Sequence, residues 1–357
     1  MKRCFAFVLT LVLIMGTLGG CAGTPSPGTA AGSTPAGGAP TAGGSGTAAA
    51  SSDKVITIRC GITVNDDSNS AKAMREFEKY VESESNGHLQ FELFLNGTLG
   101  NERDMAEGLT LGTQEMVALS TAPLINFSPD FMIWDLPYIV DNTKEGIEKA
   151  YAIMDGELGQ SMLDSMLDQG IKGLFFAHNG FRYCINRKKD VKTPADIRGL
   201  KIRTMENDVH LAFYTAVGAN PTAMASTEAF TALQQGVIDG MDNNLDALYT
   251  QGAWETAKHL TLTGHVFSAA AALISKDFFD SLTPEDQKVI LDASDKTKDF
   301  YRKTAEAREQ EVIDKFKTDC GVTITEVDID EWKPLVSGIW DQYRDKIDPK
   351  YFDAFTK

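Results

Sequence analysis

Four polar side chains stand where apolar runs of the sequence end. Arg203 closes LKIR, Arg182 sits in HNGFRYC between IKGLFF and YCIN, and Asn243 and Asn244 follow VIDGMD. An arginine on a solvated surface contributes little to stability. One at the end of a buried strand must face a partner. Its guanidinium is planar, keeps its charge, and donates two parallel hydrogen bonds to a carboxylate. In open α/β sheets, ligands settle outside the carboxyl ends of the strands. These residues therefore outline a candidate anion site with two amides beside it. A carboxylate of the protein itself, such as Asp239 or Asp196, would satisfy the same arginines, and at this level both readings stay open.

Machinery for breaking bonds is missing. The sequence has no HExxH, CxxC, GxSxG or P-loop, and no GxGxxG in its folded region, so the common nucleophile, metal and phosphate signatures are absent. His88, His178, His210, His259 and His265 lack metal-ligand spacing, and core, capping or surface roles account for them. Asp66 and Asp67 are adjacent, but a solvated turn or a helix start explains such a pair. No cofactor or metal is called for, and no enzymatic activity is expected. With 34 basic against 50 acidic residues, the chain lacks the basic footprint that nucleic-acid binding needs.

The elements that must hold the candidate site alternate between strand and helix. VITIRCGI, HLQFELFL and MVALS read as strands; Met74, Phe77 and Tyr80 recur at helical spacing, and Asn101 to Leu111 is a second helix. A long helical region from Thr143 to Gln169 stops at Gly170, and IKGLFF follows as a strand. Thr193-Pro194-Ala195-Asp196 has the composition of a capped helix start, and Thr283-Pro284-Glu285-Asp286 repeats it before a long helix toward Cys320. Between them lie the strand KIRT, a helix from about Asp208 to Val217, and the helix TEAFTALQQG. This rhythm predicts an α/β fold with largely parallel strands.

The amino terminus is a targeting segment. MKRCFAFVLTLVLIMGTLGGC has a basic start, an apolar run from Phe5 to Leu18 and small residues before Cys21, the layout of a secretory signal over residues 1–20. LGGC resembles a bacterial lipobox, which would lipidate Cys21. Residues 22–52, almost entirely Ala, Gly, Pro, Ser and Thr, read as a flexible tether. The remaining Cys60, Cys184 and Cys320 are odd in number and widely spaced, which suggests buried thiols and no disulfide framework.

GLKIRT, GANPTAM, the EAFTALQQGVIDG run and HNGFRY, together with NGTLGNERDMAEGL, DLPYIV and LTLTGH, resemble the DctP-type solute-binding proteins of TRAP transporters across nearly the whole folded region. The resemblance implies a two-lobe periplasmic-binding-protein (Venus flytrap) architecture with a hinge and a long C-terminal helix. Lobe I would be 53–178 plus about 268–307, and lobe II 179–267 plus about 308–357. It implies capture of a small carboxylate outside the cytoplasm, on the outer face of the membrane or in the periplasm, and delivery to small and large membrane subunits. Arg203 would make the bidentate salt bridge, Arg182 would assist, Asn243 would hydrogen-bond the same end of the ligand, and Thr63 and Thr121 would line the cleft. Ser226 stands where many members carry an aromatic residue, Asp242 replaces the usual Glu, and Asn244 a frequent Pro, which leaves the ligand's tail open. A tethered sensor domain feeding a signalling receptor is the alternative, and an extracellular hydrolase is a third reading without a nucleophile to support it.

Overall fold

Ten strands carry the architecture: β1 (Ile56–Gly61), β2 (Leu89–Phe94), β3 (Met116–Ser120), β4 (Ile171–Asn186), β5 (Lys201–Thr204), β6 (Asn220–Ala223), β7 (Gly240–Asn244), β8 (His259–Leu262), β9 (Phe267–Ser275) and β10 (Thr323–Glu326). They belong to a computed structural model that describes residues 54–356. The signal segment, the lipidation of Cys21 and the tether that the sequence leads one to expect lie outside the described residues.

The strands run β2-β1-β3-β9-β4-β7-β5-β6, with β8 also on β4 and β10 outside β8. β4 is the member common to two sheets. Its first half pairs with β9, Ile171 opposite Ser275 through Phe181 opposite Phe267. Its second half pairs with β7, Arg182 opposite Asn244 through Asn186 opposite Gly240. This makes a two-lobe α/β molecule with one lobe built on each sheet.

Four sequence expectations are revised. IKGLFF and YCIN belong to one continuous strand, because the register shift between His178 and Phe181 absorbs the HNG segment without ending the pairing. The strands are mixed in direction: β1-β2, β1-β3, β5-β6, β5-β7 and β8-β10 are parallel, but β9 runs antiparallel to β3 and β4, and β4 to β7 and β8. A chain that leaves the first sheet on β4 and returns on β9 must traverse the two strands in opposite directions. Third, the segment at Thr193 is a turn. Asp196 does accept from the Thr193 amide and hydroxyl at 2.9 and 3.1 Å, but Gly199, at φ 76°, redirects the chain into β5 after one turn. The expected helical region from Thr143 is also divided, into Lys144–Asp155 and Glu157–Asp164, at the extended Gly156.

The helices form where caps and periodicity agree. Ser68, Asn101 and Thr283 cap the Asn69–Glu84, Glu102–Thr110 and Pro284–Thr318 helices through their side-chain oxygens. The last of these has 35 residues, hence a length of about 52 Å at 1.5 Å per residue. Its buried stripe of Ile290, Ala293, Thr297, Tyr301, Ala305, Arg308, Val312 and Phe316 recurs at three- and four-residue steps and packs against both the Asn69–Glu84 helix and β4. β9, FSAAAALIS, is buried at every residue, as expected for a strand covered on both faces. Cys60, Cys184 and Cys320 are free and buried.

Two predictions follow from β4. Gly180 sits in the bulge at φ 78°, and a Cβ there would meet Glu309 Oε2 at 2.7 Å. Gly180→Ala is expected to lower the unfolding free energy by about 1–3 kcal/mol, and an unchanged denaturant midpoint would remove strain as the reason for the glycine. His178 is buried, stacks on Phe267 at 5.0 Å and meets the Tyr151 hydroxyl at 2.6 Å; burial pulls its imidazole down to about 3. A folded-state value below the ordinary one of about 6.5 means that its contribution is complete above pH 6.5 and is lost as the pH falls toward 3. Denaturation series across that window should show stability falling on acidification, with a shallower slope in His178→Phe.

Candidate functional site

The carboxyl ends of four strands open onto one cleft of about 550 Å3, its mouth included. From the first sheet come Thr63, just past β1, and Ser120, which ends β3; from the second come Arg203 on β5 and Asn243 and Asn244 on β7. The Asn69–Glu84 and Glu102–Thr110 helices add Ser70 and Glu102, and the long helix adds Tyr301. Parallel pairing of β5 with β6 and β7 sets Arg203 opposite Thr222 and Met241. Strand ends at the junction of two sheets are where an open α/β fold places ligands.

Arg203 is 1% exposed. Its Nε donates to the Met224 carbonyl at 2.8 Å, and its Nη1 has no partner. No carboxylate among the described residues lies within ion-pair distance of it. Burial lowers the guanidinium to about 10, opposed by Asp242, so the group stays charged at neutral pH. The two acids that the sequence offered are engaged elsewhere: Asp239 with the Lys201 amide at 3.0 Å and Lys188 at 3.3 Å, and Asp196 with the Thr193 turn. A buried, charged, unpaired fork is costly to keep. Facing a cleft, it has the charge and the free donor that an anion would need.

Arg182 is different. It is equally buried, but its Nε donates to Asp242 Oδ2 at 2.9 Å, its Nη2 to the Asp242 carbonyl at 3.0 Å, and its Nη1 to Asn243 Oδ1 at 3.2 Å. Burial alone would raise the Asp242 carboxyl, but Arg182, with His265 nearby at 3.4 Å, holds it well below the usual carboxylate range. Arg182 thus sits behind the cleft wall, where it fixes Asn243. The Asn243 oxygen also accepts from the Asn244 backbone amide at 3.0 Å, so what this side chain has left to offer is its N–H2.

The structure brings Arg203, Asn243, Asn244, Ser226 and Thr63 onto the cleft. Arg182 is not in the wall. Neither is Thr121, which is buried with its hydroxyl donating to the Ala269 carbonyl at 3.3 Å. Ser226 begins the Ser226–Gln235 helix and accepts from Gln251 Nε2 at 2.8 Å, so a polar pair occupies the place expected of an aromatic wall. Sequence reasoning missed Ser70, Glu102, Asn179, Asp246, Gln251 and Tyr301. Glu102 lay inside the NGTLGNERDMAEGL motif as the first residue after a cap, and Asp246 two residues beyond Asn244. Among the described residues, no cluster of His, Cys, Asp and Glu could hold a metal ion.

Two lobes on a shared strand, with a polar cleft between their strand ends, define the class of two-lobe solute-binding proteins. The family described as "Bacterial extracellular solute-binding protein, family 7", DctP, matches residues 60–346, and the chain belongs to it. A solute-binding protein of Verminephrobacter eiseniae is 41% identical over 238 residues, 67% of this chain and 70% of the relative. The C4-dicarboxylate-binding periplasmic protein DctP of Rhodobacter capsulatus is 30% identical over 82% of this chain and 87% of its own. The crystal structure of a TRAP periplasmic solute-binding protein from Polaromonas sp JS666, bound to D-erythronate, superposes with a TM-score of 0.79 at 35% identity, over 84% of this chain and 97% of that one.

The two arginines should respond oppositely to mutation. Asp242→Asn leaves Arg182 buried without its counter-charge and is expected to cost about 3–5 kcal/mol of stability. Arg203→Met removes a buried charge that has no ion-pair partner; the ligand-free protein should lose no more than about 1 kcal/mol, the worth of one hydrogen bond. Urea unfolding of both variants measures this, and equal losses would mean that Arg203 is as structural as Arg182.

Proposed function

We propose that this protein captures a small organic acid outside the cytoplasm, by closing two lobes over an Arg203–carboxylate salt bridge, and delivers it to the small and large membrane subunits of a TRAP transporter. The observation that carries this reading is the buried guanidinium of Arg203, charged, without an ion-pair partner among the described residues and lining the cleft. The D-erythronate and C4-dicarboxylate ligands of its relatives have a carboxylate in common. The targeting segment, Cys21 and the tether would hold the domain by a lipid anchor at the outer face of the cytoplasmic membrane or in the periplasm.

In our division of the lobes, 53–178 plus about 268–307 moves against 179–267 plus about 308–357, with the bulge between His178 and Phe181 as a flexing point. The segment Pro129–Asp135 belongs to the first lobe in this division and touches the second. Its buried Asp135 accepts from Asn207 Nδ2 at 2.8 Å and meets His210 Nε2 at 2.9 Å. Contacts across the mouth favour the closed form. Asn65 donates to the Thr250 carbonyl at 2.9 Å, and Arg308 reaches both Asp67 at 2.9 Å and Asp246 at 2.6 Å. A ligand that touches both walls selects this form because only here are both sets of contacts made.

Arg203→Ala is expected to weaken binding of the cognate acid by about 2–5 kcal/mol, the range for removing one partner of a buried charge pair. Titration calorimetry measures it, and wild-type affinity in this variant would overturn the site.

A further inference from the structure

The charges and hydrogen-bonding groups around the cleft define the ligand more narrowly than a carboxylate. Among the described residues, Arg203 is the only lysine or arginine in its wall, whereas Glu102 and Asp246 are both in it. Other nearby arginines are committed. Arg308 is held by Asp246, Asp67 and Glu311, and Arg103, which lines only a side chamber next to Arg203, pairs with Glu107. Arg182 is spent on Asp242. A second carboxylate on the ligand would therefore find Glu102, which has no ion-pair partner, and no free cation among the described residues.

The wall instead has a surplus of acceptors. Gln251 donates to Ser226 and leaves its buried Oε1 without a donor, an expensive omission unless something supplies an O–H or N–H. Glu102 accepts from the Ser120 amide through Oε1 at 3.0 Å and makes no other hydrogen bond within the described residues. Asp246 has one oxygen on Arg308 and the other on the Asn69 amide at 2.8 Å. Hydroxyls of Thr63, Ser70, Ser120, Ser226 and Tyr301 complete the surround. Hydroxyl groups suit such a wall, since each donates to one neighbour and accepts from another.

We propose, resting on the carboxylate reading above, that the ligand is a polyhydroxylated monocarboxylic acid of the aldonate type. Its single carboxylate meets Arg203, its hydroxyls donate to Glu102 and Gln251, and dicarboxylates are rejected.

The test uses matched compounds that differ only in how many ends are oxidised. The six-carbon set is galactitol, galactonate and galactarate; the four-carbon set is erythritol, erythronate and meso-tartrate; succinate stands for a dicarboxylate without hydroxyls. Calorimetry on the mature chain is expected to show one aldonate binding at least about 100-fold more tightly than its alditol and its aldarate, and more tightly than succinate. An aldarate or succinate binding as well as the aldonate overturns this assignment and leaves the Arg203–carboxylate reading standing. An alditol binding as well as the aldonate, or no binding by any of the seven, overturns both. Glu102→Gln should narrow the preference for aldonate over aldarate by at least about tenfold, and an unchanged ratio would refute Glu102 as the group that excludes the second carboxylate.

Discussion

Two guanidinium groups are buried behind and within one cleft wall, and only one of them has a carboxylate. Arg182 and Asp242 neutralise each other in the second sheet, joined by His265 and by the amide of Asn243. Arg203 shares the region but has no direct ion pair among the described residues. A buried charge without a counter-ion is tolerable only where the fold is otherwise secure and where binding returns what burial takes.

The architecture serves to keep the two roles apart. β7 alternates, so Asp242 points away from the cleft toward Arg182 while its neighbour Asn243 lines the cleft. β5 is only four residues long, enough to bury Ile202 and carry Arg203 to its end but too short to take it past the mouth. On the opposite wall, the starts of two helices supply Ser70 and Glu102, which places acceptors across from the one cation. The lobes share a continuous strand, β4, and one long helix packs against it.

Much of this was legible in the sequence. A cap such as Thr283-Pro284 announces a helix start because a local hydrogen bond decides it, and the alternation in HLQFELFL announces β2 because half of it is buried. Arg203, Asn243 and Asn244 could be singled out because polar residues at the ends of apolar runs have few structural explanations. Local chemistry misled where the wider chain overrode it. The Thr193 cap forms its hydrogen bonds but is cut short by the approach to β5, and the HNG segment resembles a break only until β9 supplies partners on the other side.

The sequence by itself determined several of the elements, among them β1, β2, β3 and the long helix after Thr283, and that an arginine ends a buried strand. Those properties depend on neighbours a few residues away. Only the tertiary structure decided which arginine is free. Arg182 and Arg203 look alike in sequence, and the difference between them is a carboxylate that arrives from 60 residues beyond one of them. Glu102, Gln251 and Tyr301 enter the site for the same reason: their side chains meet only when two sheets, three helix ends and one long helix converge, and no spacing along the chain records that convergence.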